Sequence, residues 1–248
     1  MTLGQRPHGP LRSYGRIKAR QIKAGPADLL ATRLPHLAID LSAPIDPKAL
    51  KPDATETWLE IGFGGGEHMA AQAARRPDVL VIGAEPFLNG VAAALRHIED
   101  QGLRNIRLHQ GDARDLLAAL PDQSLTRVFV LFPDPWPKAR HNKRRLINEQ
   151  VLAQIVRVLK PGGRLRFATD WADYASWTLQ RALKTPGLTW TAQRADDWRT
   201  PPGDHVTTRY EDKRLGDCAP VWLEFERAPP LAGDQRDRIR SLLTARSD

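Results

Sequence analysis

The stretch Leu59-Glu60-Ile61-Gly62-Phe63-Gly64-Gly65-Gly66-Glu67 decides the fold. The apolar run 58–61 reads as a short buried strand, the glycines as a tight turn, and the apolar spacing over 68–75 as a helix. In a doubly wound sheet a nucleotide-sized ligand sits at such a turn, at the carboxyl end of a central strand. Glycines there leave backbone N–H groups open to a ligand that a side chain would block. The dinucleotide fingerprint G-x-G-x-x-G needs a glycine at 67, where this chain has Glu67. A carboxylate at that place repels a pyrophosphate, which disfavours a nicotinamide dehydrogenase, and it suits a cationic or zwitterionic ligand.

Working outward, short apolar runs at 79–82, 106–108, 128–132 and 165–168 alternate with helical spacing at 89–101 and 146–160. This alternation predicts a mostly parallel sheet covered by helices on both faces. Pro161-Gly162-Gly163 is expected to stop the 146–160 helix. Segments 188–194 and 221–226 alternate apolar and polar positions and predict a C-terminal antiparallel hairpin, separated by a long loop over 196–220. Residues 1–50 lack sustained periodicity and predict a basic, partly flexible arm; 51–228 form the folded domain and 229–248 a tail.

Acids recur at successive strand ends. Glu60 closes the first strand, and Glu85, at the end of the second, is placed to accept from ribose hydroxyls. Asp112, after the third strand, could receive an adenine amino group. Each alone reads equally as a cap or turn residue; together with the glycine loop they describe a pocket for an adenosine that carries positive charge and no phosphate. On these residues the chain resembles the Rossmann-like class I methyltransferases that use S-adenosylmethionine. The resemblance implies an α/β fold with a seven-stranded sheet and cofactor contacts at Gly62, Gly64, Gly66, Glu60, Glu85 and Asp112.

The fourth strand runs into Phe132-Pro133-Asp134-Pro135-Trp136-Pro137. Three prolines fix φ, so the segment predicts a stiff turn presenting Asp134 and Trp136 in a set geometry. It is similar to the acid-proline-aromatic turn of amino-methyltransferases, which implies a flat nitrogen heterocycle as substrate. With Lys138, the string Arg140-His141-Asn142-Lys143-Arg144-Arg145, the triplet Thr169-Asp170-Trp171 and the loop Thr208-Arg209-Tyr210-Glu211, the match narrows. From about 12 to 227 the chain resembles the tRNA (guanine-N7)-methyltransferase family. That implies Asp134 as the catalytic and a cofactor-contacting residue. It implies Lys138, Asp170 and Thr208, Arg209, Tyr210 and Glu211 as substrate contacts, and Arg140, His141, Asn142, Lys143, Arg144 and Arg145 as contacts to RNA. Asp170 also reads as an N-cap before Trp171. Guanine N7 carries a lone pair and no proton, so the implied transfer needs alignment rather than a general base.

Charge agrees with a polyanionic partner. The 248 residues hold 37 Lys and Arg against 29 Asp and Glu, for a net +8. Six cations before Ala24 and five within 138–145 stand in acid-free segments, and without those 11 the remaining 26 fall short of the acids. Lys143, Arg144 and Arg145 are expected at or near the start of the 146–160 helix, where the macrodipole disfavours cations unless phosphates compensate. A single cysteine, Cys218, excludes an internal disulfide and a cysteine-built zinc site, and no metal ligand set is expected among the histidines. No apolar run approaches the roughly 20 residues of a membrane helix, and no secretory leader pattern is read. A cytoplasmic enzyme with tRNA as partner and no obligate protein partner is therefore expected. Two rivals remain at the level of sequence: methylation of an exocyclic base amine, and a non-catalytic RNA-binding protein on the same fold.

Overall fold

The computed structural model describes residues 22–229. At its centre β1 (Glu56–Ile61) pairs in parallel with β2 (Val79–Ala84) on one side and β4 (Leu125–Leu131) on the other. Three helices, α1 (Ala24–Thr32), α2 (Leu34–Leu37) and α3 (Pro47–Leu50), precede it. Then α4 (Glu67–Arg75) links β1 to β2, α5 (Leu88–Asp100) links β2 to β3 (Ile106–His109), and α6 (Ala113–Ala119) leads into β4. A 3-10 turn (Ala139–Arg144) and α7 (Glu149–Val158) lead to β5 (Leu159–Thr169), followed by α8 (Ala172–Lys184), β6 (Leu188–Trp190), α9 (Asp196–Arg199) and β7 (Val221–Arg227). The sheet order is β3-β2-β1-β4-β5-β7-β6, with β7 antiparallel to both β5 and β6. The expected parallel sheet and terminal hairpin are present. The order reverses between β1 and β4, and there the strands' carboxyl ends open a crevice for a ligand.

Alternation along the strands sorts the core into two layers. Leu59, Ile61, Val128 and Val130 face a cluster completed by Leu116, Leu152 and Ile155. Trp58, Val81 and Phe129 face the other, with Met69, Val91 and Leu95 from α4 and α5. Burying each such side chain contributes about 1.5–3 kcal/mol. Because side chains alternate with a period of two, Glu60 shares the face of Trp58 and lies beneath α4, while its neighbours point to the opposite layer.

Three expectations change. The arm read as extending to 50 is folded over its described part: α1 packs on α5, and Leu37, Ile39 and Ile45 are buried. Helix α7 is shorter than 146–160 at both ends. Asn148 accepts from Val151 N–H (3.0 Å) and caps it, and beyond Val158 the chain is extended, so Pro161-Gly162-Gly163 lies within the span of β5. Arg140 to Arg144 therefore sit in the preceding 3-10 turn with Arg145 just after it, and Glu149 rather than a cation occupies the first turn of α7, so the dipole penalty does not apply as expected. Among the described residues no helix is long and apolar enough to cross a membrane.

Candidate active site

The glycine loop turns on three left-handed residues, Gly62, Gly64 and Gly66, with φ of +73°, +53° and +82°. A Cβ on Gly90, at the start of α5, would collide with the Gly64 carbonyl, so only glycine lets the helix close on the loop. That contact seats Glu85 under the loop: Oε2 accepts from Gly64 N–H (2.9 Å) and Oε1 from Phe87 N–H (2.8 Å). Burial raises the Glu85 pKa; the two backbone bonds oppose this, and the negative charge of Asp134 adds to it. Asp134, exposed at the mouth of the crevice, is also raised, through lost hydration. A pair of carboxylates held above their ordinary range is a site that gains from a positive charge. Over the loop itself lies another: the Glu67 carboxylate stands within 2.5–2.7 Å of where a Gly65 Cβ would be, the reverse of an anion cradle.

Glu60 is more deeply engaged than its sequence reading implies. It is buried and its Oε2 lies 2.6 Å from Nδ1 of His68. Asp112 accepts from Arg114 N–H (3.0 Å), capping α6, and its other oxygen meets the Arg114 guanidinium at 3.1 Å. Asp170 is not the cap of α8. Asp217 fills that role by accepting from Ala172 N–H (2.8 Å), while Asp170 receives the Tyr210 hydroxyl (3.4 Å). Gly216 passes so close that any Cβ would strike the Asp170 carbonyl. Burial raises the Tyr210 pKa, Trp171 opposes it, and the charges of Asp170 and Asp134 add to it, keeping the phenol neutral. The charge of Asp134 thus reaches both Glu85 and Tyr210.

The proline turn is rigid at both ends. Phe132 and Trp136 hold φ of +49° and +47°, costing about 1–3 kcal/mol each for bulky residues, a strain that clusters at functional sites. Phe132 N–H is tied to the Ala168 carbonyl (2.8 Å) and its ring lies 5.7 Å from that of Tyr210. The Asn142 amide, oriented to donate, reaches the carbonyls of Trp136 (3.1 Å) and Lys138 (3.3 Å). His141 stands edge-on to Trp136 at 6.0 Å, and Arg144 lies over the same ring at 5.0 Å. Lost hydration, then the surrounding cations with Arg144 foremost, lower the His141 pKa.

Arg145 departs from the expectation of an outward-facing string. It is 2% exposed, donates from Nε to the Pro135 carbonyl (2.8 Å), and pairs with Asp173 at 2.5 Å. The rings of Tyr174 and Trp177 lie each 4.9 Å from its guanidinium carbon. The cation therefore holds the turn that carries Asp134 and is withdrawn from any RNA. Lys138, Arg140 and Lys143 remain exposed.

The long loop over 196–220 is pinned to β4, β5 and α4. Its anchor, Asp204, escaped the sequence reading: the carboxylate pairs with Arg166 (2.6 Å) and Arg127 (3.2 Å), and the carbonyl accepts from Gln72 (2.7 Å) and Arg75 (2.6 Å). Burial would raise the Asp204 pKa, but Arg166 outweighs it and the carboxyl is lowered. Thr208 N–H donates to Glu211 Oε1 (2.9 Å) while His205 meets Oε2 (2.8 Å). Burial opposes these bonds, yet they keep the Glu211 pKa below its ordinary value. Both Glu211 oxygens thus build the loop. Arg209 bridges to Glu67 at 2.8 Å. Among the described residues no group of His, Cys, Asp and Glu is placed to hold a metal.

Comparison with known proteins gives the family and the fold. A family described as "Putative methyltransferase" matches residues 54–222. A Caulobacter protein named tRNA (guanine-N(7)-)-methyltransferase is 60% identical over 227 residues, covering 92% of this chain and all of the relative. One from Hyphomonas neptunium with the same name is 51% identical, covering 87% of this chain and 99% of the relative. In fold, the chain is similar to the antibiotic-resistance methyltransferase Kmr (TM-score 0.51, 17% identity, 75% of this chain and 92% of that one). It is similar also to a 16S rRNA (adenine(1408)-N(1))-methyltransferase from Catenulisporales acidiphilia (TM-score 0.51, 19% identity, 76% and 96%).

Proposed function

The chain belongs to the tRNA (guanine-N(7)-)-methyltransferase family, and from that premise we propose how its residues divide the work of moving a methyl group from S-adenosylmethionine to N7 of a tRNA guanosine. The observation that carries the reading is the row of acids along the sheet's carboxyl edge, with the charge of Asp134 helping to raise Glu85 and Glu67 standing where a phosphate cradle would need donors.

When bound, S-adenosylmethionine supplies a methyl group on a positively charged sulfur. Gly62, Gly64 and Gly66 let it lie against the loop backbone. Glu85 accepts from the ribose, Asp112 borders the adenine, and Glu60 and Asp134 face the cationic end. The guanine enters between Asp134 and the Asp170–Tyr210 pair, where Asp170 accepts from the N1–H and exocyclic amine edge and selects guanine over adenine, which has the opposite polarity there. N7 needs no deprotonation. The residues act by holding N7 in line with the methyl group, worth about 7–11 kcal/mol when orientation is good, and by placing carboxylates where the purine becomes positive. Lys138, Arg140 and Lys143 meet RNA phosphates, reading shape and backbone while the pocket reads the base. Thr208 to Glu211 shape the wall on which the base rests. We infer that the reaction takes place in the cytoplasm.

A tRNA transcript made with 7-deazaguanosine tests this. Transfer should vanish while binding persists; methyl transfer to the deaza transcript would show that the acceptor is not N7.

A further inference from the structure

A chain of hydrogen bonds runs from the end of β1 to the substrate-side loop. Glu60 Oε2 lies 2.6 Å from His68 Nδ1, His68 Nε2 lies 3.1 Å from Gln72 Nε2, and that same amide nitrogen lies 2.7 Å from the Asp204 carbonyl. Glu60, His68 and Gln72 are 3%, 1% and 2% exposed. The chemistry allows one assignment of hydrogens. A carbonyl only accepts, and an amide nitrogen only donates, so Gln72 spends its two hydrogens on Asp204 and on His68 Nε2. Nε2 is then the acceptor, and Nδ1–H faces Glu60. Each atom in the chain has a single permitted role, and moving either end strains the bonds along it.

The far end of the chain is not a passive anchor. Asp204 adjoins His205, which grips Glu211, and Glu211 in turn holds Thr208 N–H. The His205 and His68 rings lie 6.4 Å apart. The near end is a carboxylate that the proposed function assigns to the cofactor. A second strap, Arg209 to Glu67, crosses the same gap, but Arg209 is 70% exposed and such a pair contributes only about 0–1 kcal/mol. The buried chain is the stiffer link.

We infer that His68 and Gln72 are positioning residues that couple cofactor binding to the RNA-binding posture of the 204–211 loop, an inference that rests on the cofactor site proposed above. When the cofactor's ammonium fixes Glu60, His68 and Gln72 hold Asp204, and the loop presents Thr208 to Glu211 to the base. Linkage makes the effect reciprocal: tRNA binding tightens the cofactor by the same factor.

The test measures affinity for unmodified tRNA with and without S-adenosylhomocysteine, the by-product of transfer. In the wild type the small ligand should tighten tRNA at least about fivefold, the low end of common couplings. Gln72→Met keeps length and apolar bulk but removes both donors, and should abolish the enhancement while each ligand alone still binds. If Gln72→Met does not fold, Gln72→Glu, which replaces both donors with acceptors at the same size, should show the same loss. Asp204→Asn loosens the ion pairs to Arg127 and Arg166 but leaves the carbonyl, and should retain the enhancement. Retained coupling in the Gln72 variant overturns the inference, as does equal loss in Asp204→Asn, which would mean that any loosening of the loop suffices. A wild type that binds S-adenosylhomocysteine yet shows no enhancement also overturns it. Failure to bind S-adenosylhomocysteine at all would instead remove the cofactor site.

Discussion

Arg145→Met separates two roles that an arginine in a basic string can have. In the wild type the Nε–H bond to the Pro135 carbonyl is charge-assisted and buried, worth about 1.5–3 kcal/mol. The flanking Tyr174 and Trp177 rings add about 0.5–2 kcal/mol as cation–π contacts. The Asp173 partner is 66% exposed, so its ion pair contributes about 0–1 kcal/mol and its loss leaves no buried charge behind. Methionine fills most of the volume, so the net destabilisation should be about 2–4 kcal/mol, within the 5–15 kcal/mol stability of ordinary domains. The released turn carries Asp134, and a displacement of about 1 Å in such a group can cost about a hundredfold in rate. The assay is single-turnover methylation of unmodified tRNA beside tRNA affinity over a salt series. The expected result is a kcat lower by about a hundredfold with the salt slope of binding unchanged. A variant with intact kcat, weaker tRNA binding and a slope reduced by about one would show that Arg145 contacts phosphate and would refute its role as a brace.

Other outcomes follow from the same geometry. Arg140→Ala with Lys143→Ala should lower the salt slope of tRNA binding by up to about two and leave cofactor affinity unchanged by calorimetry. Asp134→Asn should keep S-adenosylhomocysteine binding measurable while lowering kcat by about 10²–10³, the usual cost of losing one group aimed at developing charge. Glu85 has a raised pKa, so its favourable contribution to folding is complete below the ordinary carboxylate range and is lost as pH rises through the raised value. Glu85→Gln removes this titration but sets an amide N–H against one of the two backbone donors, so its loss in melting temperature should be smaller at neutral than at acidic pH, and cofactor binding should weaken. The wild type's cofactor affinity should fall on acidification through the same window, as Glu85 and Asp134 become neutral.

The sheet was legible because strands buried on both faces leave continuous apolar runs, and the glycine loop because its backbone demands residues without a Cβ. Glu85 and Asp134 could be placed for the same reason: they follow directly from the ends of β2 and β4. Arg145 could not. A run of cations reads the same whether solvated or enclosed, and its enclosure is made by Asp173, 28 residues on, with Tyr174 and Trp177 beside it. Asp204 left no local trace either, since its carbonyl meets Gln72 across 132 residues and its carboxylate meets Arg166 across 38. His68 offered one signal, the i to i+4 spacing to Gln72 on one helix face, but nothing in the pattern aims that face at Glu60. The helix expected over 146–160 was overextended because apolar spacing continues past the Asn148 cap and into β5.

The most direct measurement is to incubate the purified protein with methyl-labelled S-adenosylmethionine and unmodified bulk tRNA, digest the RNA to nucleosides and identify the labelled one. If a row of acids presents a sulfonium methyl to an unprotonated purine nitrogen, the label is found in N7-methylguanosine, and Asp134→Asn loses most of it. Label in an exocyclic-amine product, or full transfer by Asp134→Asn, would contradict the account.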